Sequence, residues 1–145
     1  MQDKNKILVI DDEEVVRMSH RRILAGERFN VETVLDGSEA LRWLEHQPVD
    51  VVLLDLRMPG MDGISVLKAI KEKWPEIEVV VITGYPSIET AKEAIQLGAY
   101  DYLAKPADPA DIMKVTSGAV MQKKWGMHKD HPETAPAVST SQSIH

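Results

Sequence analysis

The chain predicts an α/β fold, a doubly wound five-stranded parallel sheet with helices on both faces. Three observations carry this expectation. Five short β-rich runs alternate with helix-like segments along 145 residues, the order of repeated right-handed βαβ units. The first, third and fourth runs are almost continuously apolar, as strands covered on both faces are. The length suits one domain, and a hydrophobic content of 43% is enough for a sizeable core.

Taken in order, residues 6–10 (KILVI) form the first strand. Residues 13–25 follow as a helix, with Val16, His20, Ile23 and Leu24 on one face. Asp11 and Glu14 have capping-box spacing at its start. Residues 30–34 (NVETV) are the most polar run and are placed at a sheet edge, with Leu35-Asp36-Gly37 as an ordinary turn. The helix over 38–46 gathers Ala40, Leu41 and Leu44. Residues 49–54 (VDVVLL) are the third strand, and Asp62 caps the helix that begins near Gly63. That helix, 64–74, carries Ile64, Leu67, Ile70 and Lys71, and Pro75 stops it. The fourth strand is 78–83 (EVVVIT). The helix over 87–97 places Ile88, Ala91, Ala94 and Ile95 together, with Gly98 as its stop. The fifth strand is 100–104 (YDYLA), and the last helix, 109–124, carries Ile112, Val115, Ala119 and Val120 behind Pro109. The domain is thus expected over residues 4–124, with 125–145 as a disordered tail rich in Pro, Ser, Thr and Ala. His128 and His131 could bind a metal there, but a solvated tail is the simpler reading.

Composition excludes several classes. A formal net charge of -6 argues against direct nucleic-acid or anionic-membrane binding. With no cysteine, disulfides and thiolate zinc sites are absent. The N-terminus lacks signal-peptide anatomy, and no apolar run approaches the roughly 20 residues of a membrane span. The expected location is cytoplasmic.

Ligands of open parallel sheets sit beyond the carboxyl ends of the strands. Here those ends carry Asp11-Asp12, Asp55, Thr83-Gly84 and Lys105-Pro106. Each has a local explanation: a helix start, a cap, a common strand residue, a strand stop. Their joint occurrence is harder to obtain that way. Clustered carboxylates repel one another, so a cation is expected between them. Only hard oxygen donors are present at these ends, which selects Mg²⁺ or a similar ion such as Mn²⁺ over zinc. A lysine and a hydroxyl at the same rim suit a phosphoryl group. The chemistry indicated is phosphoryl transfer with one aspartate attacking.

The stretches "ILVIDDEE", "VVLLDLRMPGMDG", "VVVITGY" and "GAYDYLAKP", in this order, carry a resemblance over residues 4–124. The chain resembles the receiver domain of two-component response regulators, the CheY-like superfamily. The resemblance implies a flavodoxin-like (βα)5 fold with strand order 2-1-3-4-5. It implies that Asp55 accepts a phosphoryl group from a histidine kinase or phosphotransfer protein. Asp12 and Asp55 would hold Mg²⁺ with the backbone carbonyl of Arg57, and Asp11 would act directly or through water. Thr83 and Lys105 would contact the phosphoryl group, and Tyr102 would be the switch aromatic that turns inward as Thr83 moves. Lys105–Pro106 would be a cis peptide. Arg57 and Tyr85 would tune phosphoryl lifetime, unless both simply point to solvent. His20 departs from the usual aliphatic residue and is read as packed. The output surface would be residues 87–124, met by a downstream protein or a second copy.

An aspartyl-phosphate hydrolase is the rival enzyme reading. Such enzymes need a second acid shortly after the nucleophile and a cap, whereas residue 57 is Arg and no insertion is long enough. A scaffold without phosphorylation is disfavoured by the intact acid, threonine and lysine set. The chain is therefore expected not to be a turnover enzyme. The stretch "SIETAKEAIQLGAYDYLAKP" resembles receivers attached to ATP-dependent transcription activators, whereas the polar tail favours a stand-alone receiver. Both remain open.

Overall fold

Alternate residues of each apolar strand point to opposite faces, so a strand with no polar face needs cover on both sides. The computed structural model, which describes residues 4–26, 28–58 and 60–126, meets that need. Five parallel strands, β1 (Asn5–Ile10), β2 (Phe29–Val34), β3 (Val51–Leu54), β4 (Glu78–Thr83) and β5 (Asp101–Ala104), lie in the order β2-β1-β3-β4-β5. The helices are α1 (Glu14–Leu24), α2 (Gly37–His46), α3 (Gly63–Lys73), α4 (Ile88–Gln96) and α5 (Pro109–Gly126). On one face, Leu8, Ile10, Val52, Leu54, Val79 and Val81 pack against α2, α3 and Ala94 of α4. On the other, Ile7, Val9, Val51, Leu53, Val80 and Ile82 pack against α1 and α5. The expected fold, strand order and edge position of β2 are all present.

Local differences have physical causes. β3 begins at Val51 rather than residue 49, because Asp50 is used as a tie. Its carboxylate accepts from the Lys6 N–H at 2.7 Å and from Lys123 Nζ at 2.8 Å, joining β1 to α5. No Asp11–Glu14 capping box forms: Glu13 occupies the N-cap of α1 without a side-chain cap bond. Asp11 Oδ1 instead accepts from the Glu13 N–H at 2.9 Å. The turn at Leu35-Asp36-Gly37 is itself a cap. Asp36 accepts from the Glu39 N–H at 2.8 Å, and Glu39 Oε1 accepts from the Leu35 N–H at 3.0 Å. Tyr100 lies just before β5, its hydroxyl pressed against Gly118 of α5.

The expected apolar face of α4 is largely exposed. Ile88 is 75% and Ile95 50% exposed, and Ala94 is the buried residue of this helix. α4 packs beside β5, the edge strand, whose own residues are only partly covered, so it turns a narrow face inward. Gly98 ends the helix as expected, with φ +107° and the Ala99 N–H donating to the Ala94 carbonyl at 3.0 Å. α5 continues through Gly126, so residues 125 and 126 are helical; the rest of the expected tail, 127–145, with His128 and His131, lies outside the described residues.

The segment after β3 holds a short antiparallel ladder, Arg57–Met58 with Met61–Asp62, which the sequence pattern did not anticipate. It returns the chain to Gly63, whose N–H donates to the Leu56 carbonyl at 3.1 Å. A Cβ at Gly63 would lie 2.4 Å from Leu56 Cα and 2.7 Å from its carbonyl oxygen. Backbone cannot yield as a side-chain tip can. Gly63→Ala is expected to cost about 1–3 kcal/mol, toward the upper figure. Urea unfolding checks this; a loss below about 0.5 kcal/mol would show that the loop shifts freely.

Candidate functional site

Parallel strands deliver their carboxyl ends to one rim. At that rim β1 contributes Asp11, β3 contributes Asp55, and Lys105 follows β5. Asp11 and Asp55 are 2% and 5% exposed, whereas Asp12 is exposed. One carboxylate oxygen from each of Asp11, Asp12 and Asp55 lies within 4.8 Å of the others. Lys105 Nζ donates to Asp11 Oδ2 at 2.7 Å, and sits 3.3 Å from Asp55 Oδ2 and 3.5 Å from Glu13 Oε1. The other Asp55 oxygen accepts from the Arg57 N–H at 3.2 Å. Both oxygens of Asp55 are therefore engaged, one by an ammonium and one by backbone.

Burial pushes the Asp55 carboxyl above the usual range; the Arg57 N–H opposes this, Asp11 adds to it, and Lys105 opposes it. For Lys105 burial acts to lower the pKa, but the bond to Asp11 and the charges of Asp11 and Asp55 outweigh it, so the ammonium is held above its ordinary value. One ammonium for three carboxylates leaves net negative charge. The donors are all hard oxygens, which suits an Mg²⁺-sized cation.

The cluster opens onto a cleft of about 630 Å³ lined by Asp12, Asp55, Arg57, Asp62, Tyr85 and Lys105 among others. Asp62 serves as the expected cap, accepting from the Ile64 N–H at 3.1 Å, which leaves Asp55 free of that task. Arg57 and Tyr85 are both exposed, as the solvent-facing alternative expects, but they stack on each other. The Arg57 guanidinium lies over the Tyr85 ring, 4.0 Å from its centroid, beside the cleft.

Thr83 ends β4 fully buried, its hydroxyl accepting from the Tyr85 N–H at 3.2 Å. Tyr102 is engaged by α4. Its hydroxyl pairs with the Thr90 hydroxyl at 2.6 Å and accepts from the Ser87 N–H at 3.2 Å, so it grips the first turn of α4. Lys105–Pro106 is cis. Glu13, Ser87 and Thr90 were not picked out from the sequence; an acid, a serine and a threonine near helix starts read as ordinary capping residues.

A family model described as the response regulator receiver domain matches residues 7–117. The chain belongs to the response regulator receiver domain family. It is 40% identical over 144 residues to the transcriptional regulatory protein ZraR of Escherichia coli, covering 97% of this chain and 31% of that protein. It is 42% identical over 102 residues to an NtrX-like response regulator of Rickettsia bellii, covering 69% of this chain and 21% of that protein. The receiver thus spans less than a third of the length of these relatives. The receiver domain of NtrX from Brucella abortus superposes with TM-score 0.75 at 37% identity, covering 79% of this chain and 98% of that one. A CheY-like receiver from Methanospirillum hungatei gives TM-score 0.82 at 26% identity, covering 86% and 99%.

His20 of α1 is packed, 6% exposed, with Nδ1 unpartnered among the described residues. Burial holds its pKa below the ordinary histidine value; Asp11 opposes this and Lys105 reinforces it. A depressed folded-state pKa means that the unfolded chain takes up a proton the folded chain refuses. Stability is therefore lost as pH falls through about 6.5, at up to about 1.4 kcal/mol per pH unit. His20→Leu is expected to flatten that decline. Denaturant unfolding of both proteins between pH 7.5 and 5.5 checks it; parallel curves would show that His20 does not titrate differently on folding.

Proposed function

We propose that this receiver is a phospho-accepting switch in which Asp55 takes a phosphoryl group from a histidine kinase or phosphotransfer protein. The observation that carries the reading is a buried Asp55 carboxylate fixed between Lys105 and the Arg57 N–H, with Asp11 and Asp12 beside it at the mouth of a cleft. The Asp55 oxygen attacks phosphorus; the new P–O bond forms as the P–N bond to the donor histidine breaks, its electron pair remaining on the imidazole. Asp11, Asp12, Asp55 and the Arg57 carbonyl would hold Mg²⁺ or Mn²⁺, which supplies charge neutralisation for carboxylates and phosphoryl oxygens alike. Lys105 stands close enough to share itself with a new anion, and the Thr83 hydroxyl is the donor that would move to it.

Phosphorylation adds roughly two negative charges at Asp55. Thr83, whose oxygen accepts from the Tyr85 N–H, turns its O–H to the phosphoryl group as donor, and Tyr102 responds through its bonds to Ser87 and Thr90. The surface that changes is residues 87–124, where exposed Ile88, Ile95 and Met121 await a downstream protein or a second copy. The formal charge of -6 supports protein contacts rather than direct nucleic-acid binding by this chain. No helix among the described residues is long and apolar enough to cross a membrane, and a cytoplasmic site of action fits a kinase-fed switch. The proposed functional unit is the receiver expected over residues 4–124, with its last helix running on to Gly126.

Two measurements check the reading. Incubation with Mg²⁺ and acetyl phosphate is expected to add one hydroxylamine-labile phosphoryl group by intact mass, lost in Asp55→Ala or with the metal chelated. Modification that persists in Asp55→Ala would overturn the assignment, and turnover of many phosphomonoesters would indicate a hydrolase. The Arg57–Tyr85 stack is proposed to shield the acyl phosphate from water. Such a contact is worth about 0.5–1 kcal/mol, so Tyr85→Ala is expected to shorten the phosphoryl half-life about two- to fivefold. An unchanged half-life would remove the stack from lifetime control.

A further inference from the structure

The loop between β1 and α1 carries two of the three clustered carboxylates, and Glu13, the N-cap residue where it enters α1, makes no side-chain cap bond. Asp11 is bound at each of its polar groups. Its N–H donates to the Val34 carbonyl at 3.3 Å. Its carboxylate accepts from the Glu13 N–H at 2.9 Å and from Lys105 at 2.7 Å. Its carbonyl accepts from Arg17 Nη1 at 2.8 Å. Asp12 is different: it is exposed and receives no hydrogen bond from the described residues. Its direction is inherited from the backbone before it.

The Asp11 carbonyl and the Asp12 amide belong to one planar peptide unit. A bond to that carbonyl therefore fixes the plane from which the Asp12 side chain starts. Arg17 makes this bond from the body of α1, where its own N–H is already committed to the Glu13 carbonyl at 3.0 Å. The guanidinium thus ties the exposed acid to a helix that packs on the sheet. A positive charge near a cation site should by itself weaken cation binding, so an electrostatic role and a positioning role predict opposite signs.

We infer that Arg17 is a positioning residue for the cation site, holding the Asp11–Asp12 peptide so that Asp12 faces Asp11 and Asp55. The inference rests on the proposal that these acids bind Mg²⁺. Among the described residues one N–H of the guanidinium is used, so an ammonium of similar reach should substitute. Groups that orient metal ligands from outside the coordination shell are typically worth about tenfold or more in affinity.

Mg²⁺ titration by calorimetry at fixed ionic strength, with thermal melts alongside, tests it on the full chain. Arg17→Met is expected to bind Mg²⁺ about tenfold more weakly while still folded at the titration temperature. Arg17→Lys is expected to recover to within about twofold of the parent. Binding by Arg17→Met that equals or exceeds the parent overturns the inference, as does Lys failing to rescue. Asp12→Asn separates the two levels. If the parent and Asp12→Asn bind Mg²⁺ equally, or the parent does not bind at all, the cation site itself falls and the Arg17 role with it.

Discussion

A carboxylate at the end of a buried strand has to be compensated, and here a single ammonium does so. Lys105 reaches across the sheet rim to Asp11 and Asp55, 94 residues from the first in sequence. Breaking a buried ion pair by removing one partner is far costlier than never having built it. The rim therefore tolerates change only if another cation or donor takes over. This is what makes the cluster both a structural weak point and a place where added charge can do work. In the proposed function, a divalent cation and a phosphoryl group together would alter the balance that Lys105 now keeps.

The surroundings divide into what holds still and what can move. β1, β3 and β4 are buried on both faces, with helices on each side. Their tight packing keeps Asp11 and Asp55 in place. β5 and α4, at the other side of the rim, are the less covered elements. Their contact is partly polar, through the Tyr102 hydroxyl to Ser87 and Thr90. Hydrogen bonds of that kind can be exchanged for others at small net cost, whereas a packed aliphatic core cannot be rearranged piecemeal. The proposed movement of Thr83 would have this softer side of the rim in which to travel.

The turn after Asp55 shows how local chemistry frees a functional group. Asp62 takes the cap of α3, and Gly63 lets that helix start against the Leu56 backbone. The Arg57 N–H can then face Asp55, and its guanidinium can lie on Tyr85. One residue so contributes backbone to the acid and side chain to the cleft wall.

Much of this was legible in the sequence. Continuous apolar runs at β1, β3 and β4 identify doubly covered strands, and the polar residues at their ends identify the rim, because strand periodicity and burial are local and repetitive. The receiver motifs name the acids, Thr83, Lys105 and Tyr102. What the sequence alone could not decide is which partner each polar group takes. Asp11 has capping-box spacing but turns to Lys105; Ile88 and Ile95 have helix periodicity but face outward; Arg17 carries no sequence signal, yet its guanidinium donates to the Asp11 carbonyl. Each choice is settled by which elements come to lie beside one another. Propensity and periodicity act over a few residues, whereas hydrogen-bond partners and burial are set by neighbours brought together from tens of residues away.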